Sequence, residues 1–235
     1  MGCIDMAGGH LNRILCAADP AGSVSAIERM LAAADTHDVD AIALLGDLGE
    51  RRGERTNGYS AFFRALARAN RPVFWVPGAD DVPFEAYLRE AFHIETAFPS
   101  LRGVHGTAVA TAGGVLFAGF GGEVTDDPGQ HRDEFDRLSY PRWAAEYRLK
   151  VLGEFDYNEL VMLFWTAPAH KGLELPGSEV VAELIGTYRP RLAVCGGERN
   201  VATLGRSITV AQGSLRAGHH AVADLRKRAA ELHEL

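Results

Sequence analysis

Ala41-Ile42-Ala43-Leu44-Leu45-Gly46-Asp47-Leu48-Gly49-Glu50 sets an apolar run of strand length against a Gly-Asp loop, and this succession decides the fold. It recurs along the chain. Ile14 to Ala18 leads into Asp19-Pro20-Ala21, and Val73 to Val76 precedes Gly78-Ala79-Asp80-Asp81. Leu160 to Trp165 leads into Thr166-Ala167-Pro168, and Leu192 to Cys195 into Gly196-Gly197-Glu198-Arg199. Short apolar runs rich in branched and aromatic residues, alternating with helical patterns, are the signature of buried strands in an α/β domain. Ligands of such sheets gather outside the carboxyl ends of the strands, so Asp19, Asp47, Asp80, Ala167 and Arg199 are expected to converge on one crevice.

The intervening segments carry the helical period. Ser23 caps a segment running to about Asp35, with Val24, Ile27, Met30, Leu31 and Ala34 on one stripe. Ser60 to Ala69 repeats the pattern through Phe62, Phe63 and Leu66, and Phe84 to Ala91 follows Pro83 at a first helical position. Gly113-Gly114 reads as a hairpin turn between Thr107 to Ala112 and Val115 to Gly119. The acidic stretch from Glu123 to Asp136 reads as an exposed loop or lid. Tyr140 to Leu152 is expected to be helical, with Trp143, Tyr147 and Leu149 packed inward. Ser178 caps a further helix through Tyr188, which Pro190 ends. Val201 to Leu204, Ile208 to Ala211 and Ala221 to Leu225 are expected as strands of a second sheet, followed by a charged helix or tail over residues 226–235.

With 235 residues, 47% of them apolar, the chain has the size of one large domain, assigned to residues 13–225 after a flexible lead-in over 1–12. The net charge of −7 argues against a phosphate-backbone surface, so no nucleic-acid partner is expected. Arg51-Arg52-Gly53-Glu54-Arg55 reads as a solvated loop. Cys3, Cys16 and Cys195 form no pairing framework, and Cys16 and Cys195 fall inside strands as small buried hydrophobes. An odd cysteine count without a signal peptide, and without an apolar run of membrane length, points to the cytoplasm. Met1-Gly2-Cys3-Ile4-Asp5-Met6 lacks the Ser or Thr of a myristoylation motif.

The order of the five loops resembles the calcineurin-like metallophosphoesterases, whose pattern runs DxH, GDxxD, GNH followed by Asp or Glu, a lone His, then GHxH. The resemblance extends from Arg13 to about Leu225 and includes a family-like tail, Arg206-Ser207-Ile208-Thr209-Val210 leading into Gln212-Gly213-Ser214-Leu215. It implies a four-layer αββα sandwich of two mixed sheets flanked by helices. It also places metal-ligand positions at Asp19, Ala21, Asp47, Ala79, Ala167, Gly197 and Arg199. Asp80 stands where the family keeps the histidine that assists the leaving group, and Asp81 at the place of an acid supporting the ligands. A closer likeness, to a ligand-poor bacterial branch, is carried by Gly121-Gly122-Glu123, the segment Tyr140 to Lys150 and His170-Lys171-Gly172-Leu173. The wider family's tendency to oligomerise implies a homo-oligomer.

Of those ligand positions only Asp19 and Asp47 carry an oxygen donor. A dinuclear site clamps the attacking and leaving oxygens with two ions roughly 3.5–4 Å apart, which takes several ligands per ion. Two carboxylates a few Å apart repel by roughly 4 kcal/mol at an effective dielectric near 20, so one is expected to protonate or a cation to sit between them. The fork of Arg199 suits that place, and Arg199 is expected to tie Asp19 to Asp47. The leading expectation is a non-catalytic or vestigial member, a binding or assembly protein that uses the old phosphate crevice, with a small phosphate-containing ligand, or an oligomer surface. The alternative is a phosphomonoesterase or phosphodiesterase holding one divalent cation, Mn²⁺, Mg²⁺ or Ca²⁺, on Asp19 and Asp47, with Asp80 and Glu198 adding oxygens. There Asp80 and His170 are the candidate acid–base residues, and Glu50 is either a supporting acid or a solvated one. Gly113-Gly114 and Gly121-Gly122 lack the Lys and Ser or Thr of a phosphate-cradling loop.

Overall fold

The computed structural model describes residues 11–50, 58–127, 129, 134, 136–170 and 177–235. Cys3, the Arg51 to Arg55 cluster, Lys171 to Leu173 and part of the 123–136 stretch lie outside them. The expected strands form as β1 (Arg13–Ala18), β2 (Ala41–Leu45) and β3 (Val73–Val76), paired in parallel and followed by β4 (Leu101–Gly103) at the edge. Between them run α1 (Val24–Thr36), α2 (Tyr59–Leu66) and α3 (Phe84–Ala97). Ser23 starts α1 by accepting the Ala26 amide on its hydroxyl at 3.2 Å, as its position before the apolar stripe requires.

The second sheet opens with the hairpin expected around Gly113-Gly114, where β5 (Thr107–Ala110) pairs antiparallel with β6 (Val115–Phe120). It continues through β9 (Glu159–Phe164), β10 (Leu192–Cys195), β12 (Ser207–Ala211) and β11 (Asn200–Leu204). Before β9, the short strands β7 (Glu123–Thr125) and β8 (Ser139–Pro141) pair with each other and lead into α4 (Arg142–Leu149). After β9, α5 (Glu179–Tyr188) begins at Ser178, whose hydroxyl accepts from the Val181 amide. It ends at the left-handed Arg189 before Pro190. Alternate strand residues build two cores. Ile14, Cys16, Leu45, Phe74, Val76, Phe117, Leu163 and Val194 lie between the sheets, whereas Leu15, Leu44, Trp75, Phe120 and Phe164 belong to the cluster that includes the helices. The layers are helix, sheet, sheet, helix, as expected. No helix among the described residues is long and apolar enough to cross a membrane.

Four expectations are corrected. Residues 226–235 are not helical: β14 (Ala229–Glu234) pairs antiparallel with β13 (His219–Asp224), turning at Arg228, whose φ is +52°. Alternation in this segment outweighs its charge, because an edge strand can face water with its polar side. Nor is β13 in the second sheet. It pairs antiparallel with β1, so the first sheet runs β14-β13-β1-β2-β3-β4. The stretch from Glu123 begins as a strand with Val124 and Thr125 buried, not as an exposed loop. Trp143 and Tyr147 are 68% and 69% exposed; Ala144, Ala145 and Leu149 supply the buried face of α4 instead.

Phe74 of β3 and Phe117 of β6 stack across the two sheets with ring centroids 3.7 Å apart. Removing one ring opens a cavity between two rigid layers. Phe117→Ala is therefore expected to lower unfolding free energy by about 3–5 kcal/mol, read as a lower urea midpoint at unchanged slope.

Candidate functional site

The carboxyl ends of β1, β2, β9 and β10 open onto a crevice of about 410 Å³ lined by Asp19, Asp47, Glu123, Arg137, Trp165, Thr166, Ala167, Gly196, Gly197 and Ser214, among others. Asp19 and Asp47 both sit at positive φ, +52° and +55°, a conformation that Asp tolerates better than most side chains. Loop contact is possible because Gly46 and Gly78 have no side chains. A Cβ on Gly46 would come within 2.0 Å of the Gly78 nitrogen, and one on Gly78 within 2.2 Å of the Asp47 amide nitrogen.

Asp81 holds these loops together. Fully buried, it accepts the Leu48 amide (3.0 Å) and Gly78 amide (2.7 Å) on Oδ2, and the Gly49 amide (3.0 Å) and Tyr59 hydroxyl (3.0 Å) on Oδ1. Burial pushes its pKa above the ordinary carboxylate value, and the four donors act in the opposite direction. Burial also raises the Tyr59 phenol, with the Asp81 carboxylate adding to it, so Tyr59 stays a donor.

Nearer the opening, Asp19 Oδ2 accepts the Ser214 hydroxyl at 2.8 Å, and Asp47 Oδ1 accepts the Asp80 amide at 3.2 Å. Among the described residues, Arg137 is the guanidinium lining this crevice. It donates to Asp80 Oδ1 (2.8 Å) and Glu123 Oε2 (3.0 Å), and its Cζ lies 5.9 Å from the Trp165 ring centroid.

Arg199 does not tie Asp19 to Asp47. Its guanidinium donates to Glu234 Oε1 at 2.8 Å and to the His233 carbonyl at 3.2 Å, both on β14. The unexpected terminal strand supplies nearer acceptors and turns the side chain away from the crevice. Glu198 is exposed beside it, in a neighbouring depression with Gly213, Ser214 and His219. Glu50 is exposed and His170 half-buried, and neither is among the residues lining the crevice. Asp19, Asp47 and Ala167 do converge as expected, and Asp80 joins them through Asp47 and Arg137. Sequence reasoning missed Arg137, Ser214 and Tyr59. Arg137 directly follows the acidic stretch that reads as a loop, and the signal available was a lone basic residue between that stretch and the apolar β8.

The donor set does not fit a pair of metal ions. Ala21, Ala79, Ala167 and Gly197 offer no side-chain ligand, Arg199 points elsewhere, and the remaining carboxylates already accept from Ser214, the Asp80 amide and Arg137. Among the described residues, no group of three or more His, Cys, Asp or Glu is placed to hold a metal ion.

The pattern of the metallophosphoesterases of the calcineurin superfamily matches residues 50–235, and the chain belongs to that family. The crystal structure of TT1561 from Thermus thermophilus is similar over 95% of this chain and 99% of that one, with 40% identity and a TM-score of 0.88. A second crystal structure, 24% identical, covers 95% of this chain and 98% of its own with a TM-score of 0.85. An archaeal phosphodiesterase, 9% identical over 95% of this chain and 99% of its own, shares the fold alone at a TM-score of 0.52. No curated protein matches the chain.

Asp81→Ala would leave three buried amides and a phenol without their acceptor, at about 1–3 kcal/mol for each group that finds no other partner. The expected outcome is a loss of about 3 kcal/mol or more in chemical denaturation, with Asp81→Asn, which keeps one oxygen acceptor, losing less.

Proposed function

We propose that this metallophosphoesterase-fold chain does not carry out two-metal hydrolysis and instead works as a binding or assembly protein through the crevice. The observation that supports this reading is Arg137, a fixed positive charge paired with Asp80 and Glu123 in the crevice that Asp19 and Asp47 line. A guanidinium there supplies the charge balance that clustered carboxylates need, and it repels a divalent cation. Asp80 and Glu123 take two of its five N–H donors, so others can meet the oxygens of a small phosphate-containing ligand. The assembly side of the reading rests on α4, where Trp143 and Tyr147 present exposed aromatic surface at helical spacing.

The alternative has its own support: Asp19, Asp47 and Glu123 line the same crevice and are oxygen ligands of the kind one hard cation takes. The two readings separate on metal retention. Purified protein is loaded with Mn²⁺, freed of unbound ion and analysed for metal per chain, beside Asp47→Asn, which removes the charge while tolerating the positive φ. The expected outcome is no retained Mn²⁺ above the variant and no turnover of p-nitrophenyl phosphate. Near-stoichiometric Mn²⁺ that the variant loses, together with turnover, overturns the proposal in favour of a one-metal phosphoesterase.

A further inference from the structure

At the β14 edge of the first sheet three imidazoles pack together. His37 caps the C-terminus of α1, while His220 of β13 and His233 of β14 are direct cross-strand partners. Ring centroids lie 4.4 Å apart for His37 and His233, 5.3 Å for His220 and His233, and 5.5 Å for His37 and His220. The Nε2 atoms of His37 and His220 are 3.4 Å apart, a spacing at which one neutral ring donates to the other. His220 is 1% exposed, and its buried Nδ1 has no hydrogen-bond partner.

The groups facing the cluster come from every element around it. Arg13 of β1 acts against a charge on His37, and Arg199, from the loop after β10, against one on His220. Glu231, two residues before His233 and so on the same face of β14, acts in favour, with Oε2 3.8 Å from His233 Nε2. Glu234 is already paired with Arg199. Burial first, then the charges of His233, His37 and Arg199, lower His220 from the ordinary 6.5 to about 4. Burial, then His233 and Arg13, also lower His37. The strand that carries His233 is the one that holds the Arg199 guanidinium.

We propose that β14 is a proton-sensitive strap: proton uptake by His37 and His220, packed against His233, loosens the strand from β13 and with it the Glu234 and His233 acceptors that hold Arg199. With His37 and His220 depressed, the strapped state binds fewer protons than the released one, so the strap holds at neutral pH and above. Its hold weakens as pH falls below about 6.5 and stops weakening below about 4. For His220 alone, the opening constant rises roughly 30-fold between pH 7.5 and pH 5.0.

Amide hydrogen exchange of the full chain, followed by mass spectrometry at both pH values and corrected for intrinsic exchange, reads this directly. Peptides over residues 229–235 are expected to lose protection roughly 30-fold at pH 5.0, while those over β2 and β10 keep theirs. His220→Leu is expected to keep β14 protected at both pH values. Should that variant fail to fold at pH 7.5 by circular dichroism, His220→Gln, which keeps a polar side chain that does not titrate, takes its place. Unchanged β14 protection in the wild type, loss spread over all strands, or a variant that loses as much as the wild type overturns the proposal.

Discussion

Two loops and a helix of this molecule meet on one buried carboxylate. Asp81 gathers amides from the loops after β2 and β3, and the phenol that opens α2, so the ends of two neighbouring strands and a helix become one body. A buried carboxylate with four donors is rigid because losing any one of them exposes a group to burial without a partner. Gly46 and Gly78 let the two loops touch, and that contact positions Asp47 against the Asp80 amide. The crevice inherits its shape from this knot.

On that scaffold the distribution of charge, more than the fold, sets the chemistry. Asp19 and Asp47 line the crevice together with one guanidinium, Arg137, which bridges Asp80 and Glu123 and lies against Trp165. Arg199, where the sequence resemblance implies a metal-ligand position, is held by β14. The family fold therefore does not by itself define what the crevice does, in keeping with the rule that function resides in the site grafted onto a fold.

Most of the frame was legible in the residues. β2, β3 and β10 begin and end where their apolar runs do, since a strand buried on both faces is marked by unbroken hydrophobicity. Ser23 and Ser178 announced α1 and α5 through side chains that satisfy first-turn amides. The failures came where local pattern is ambiguous. β14 has the composition of a charged tail and forms a strand only because the edge of β13 is available to pair with it. Trp143 and Tyr147 are large and apolar, but the small residues Ala144 and Ala145 are what fit beneath α4.

By itself the sequence determined the fold class, the family, the convergence of the strand-end loops and the scarcity of ligands within them, because these follow from residue type and spacing. Tertiary structure alone decided which cation enters the crevice. Arg137 and Arg199 are the same side chain, and nothing local separates them. A guanidinium reaches several Å, so its partner is set by whichever carboxylate the fold brings within hydrogen-bond distance: Asp80 and Glu123 for one, Glu234 on an unforeseen edge strand for the other.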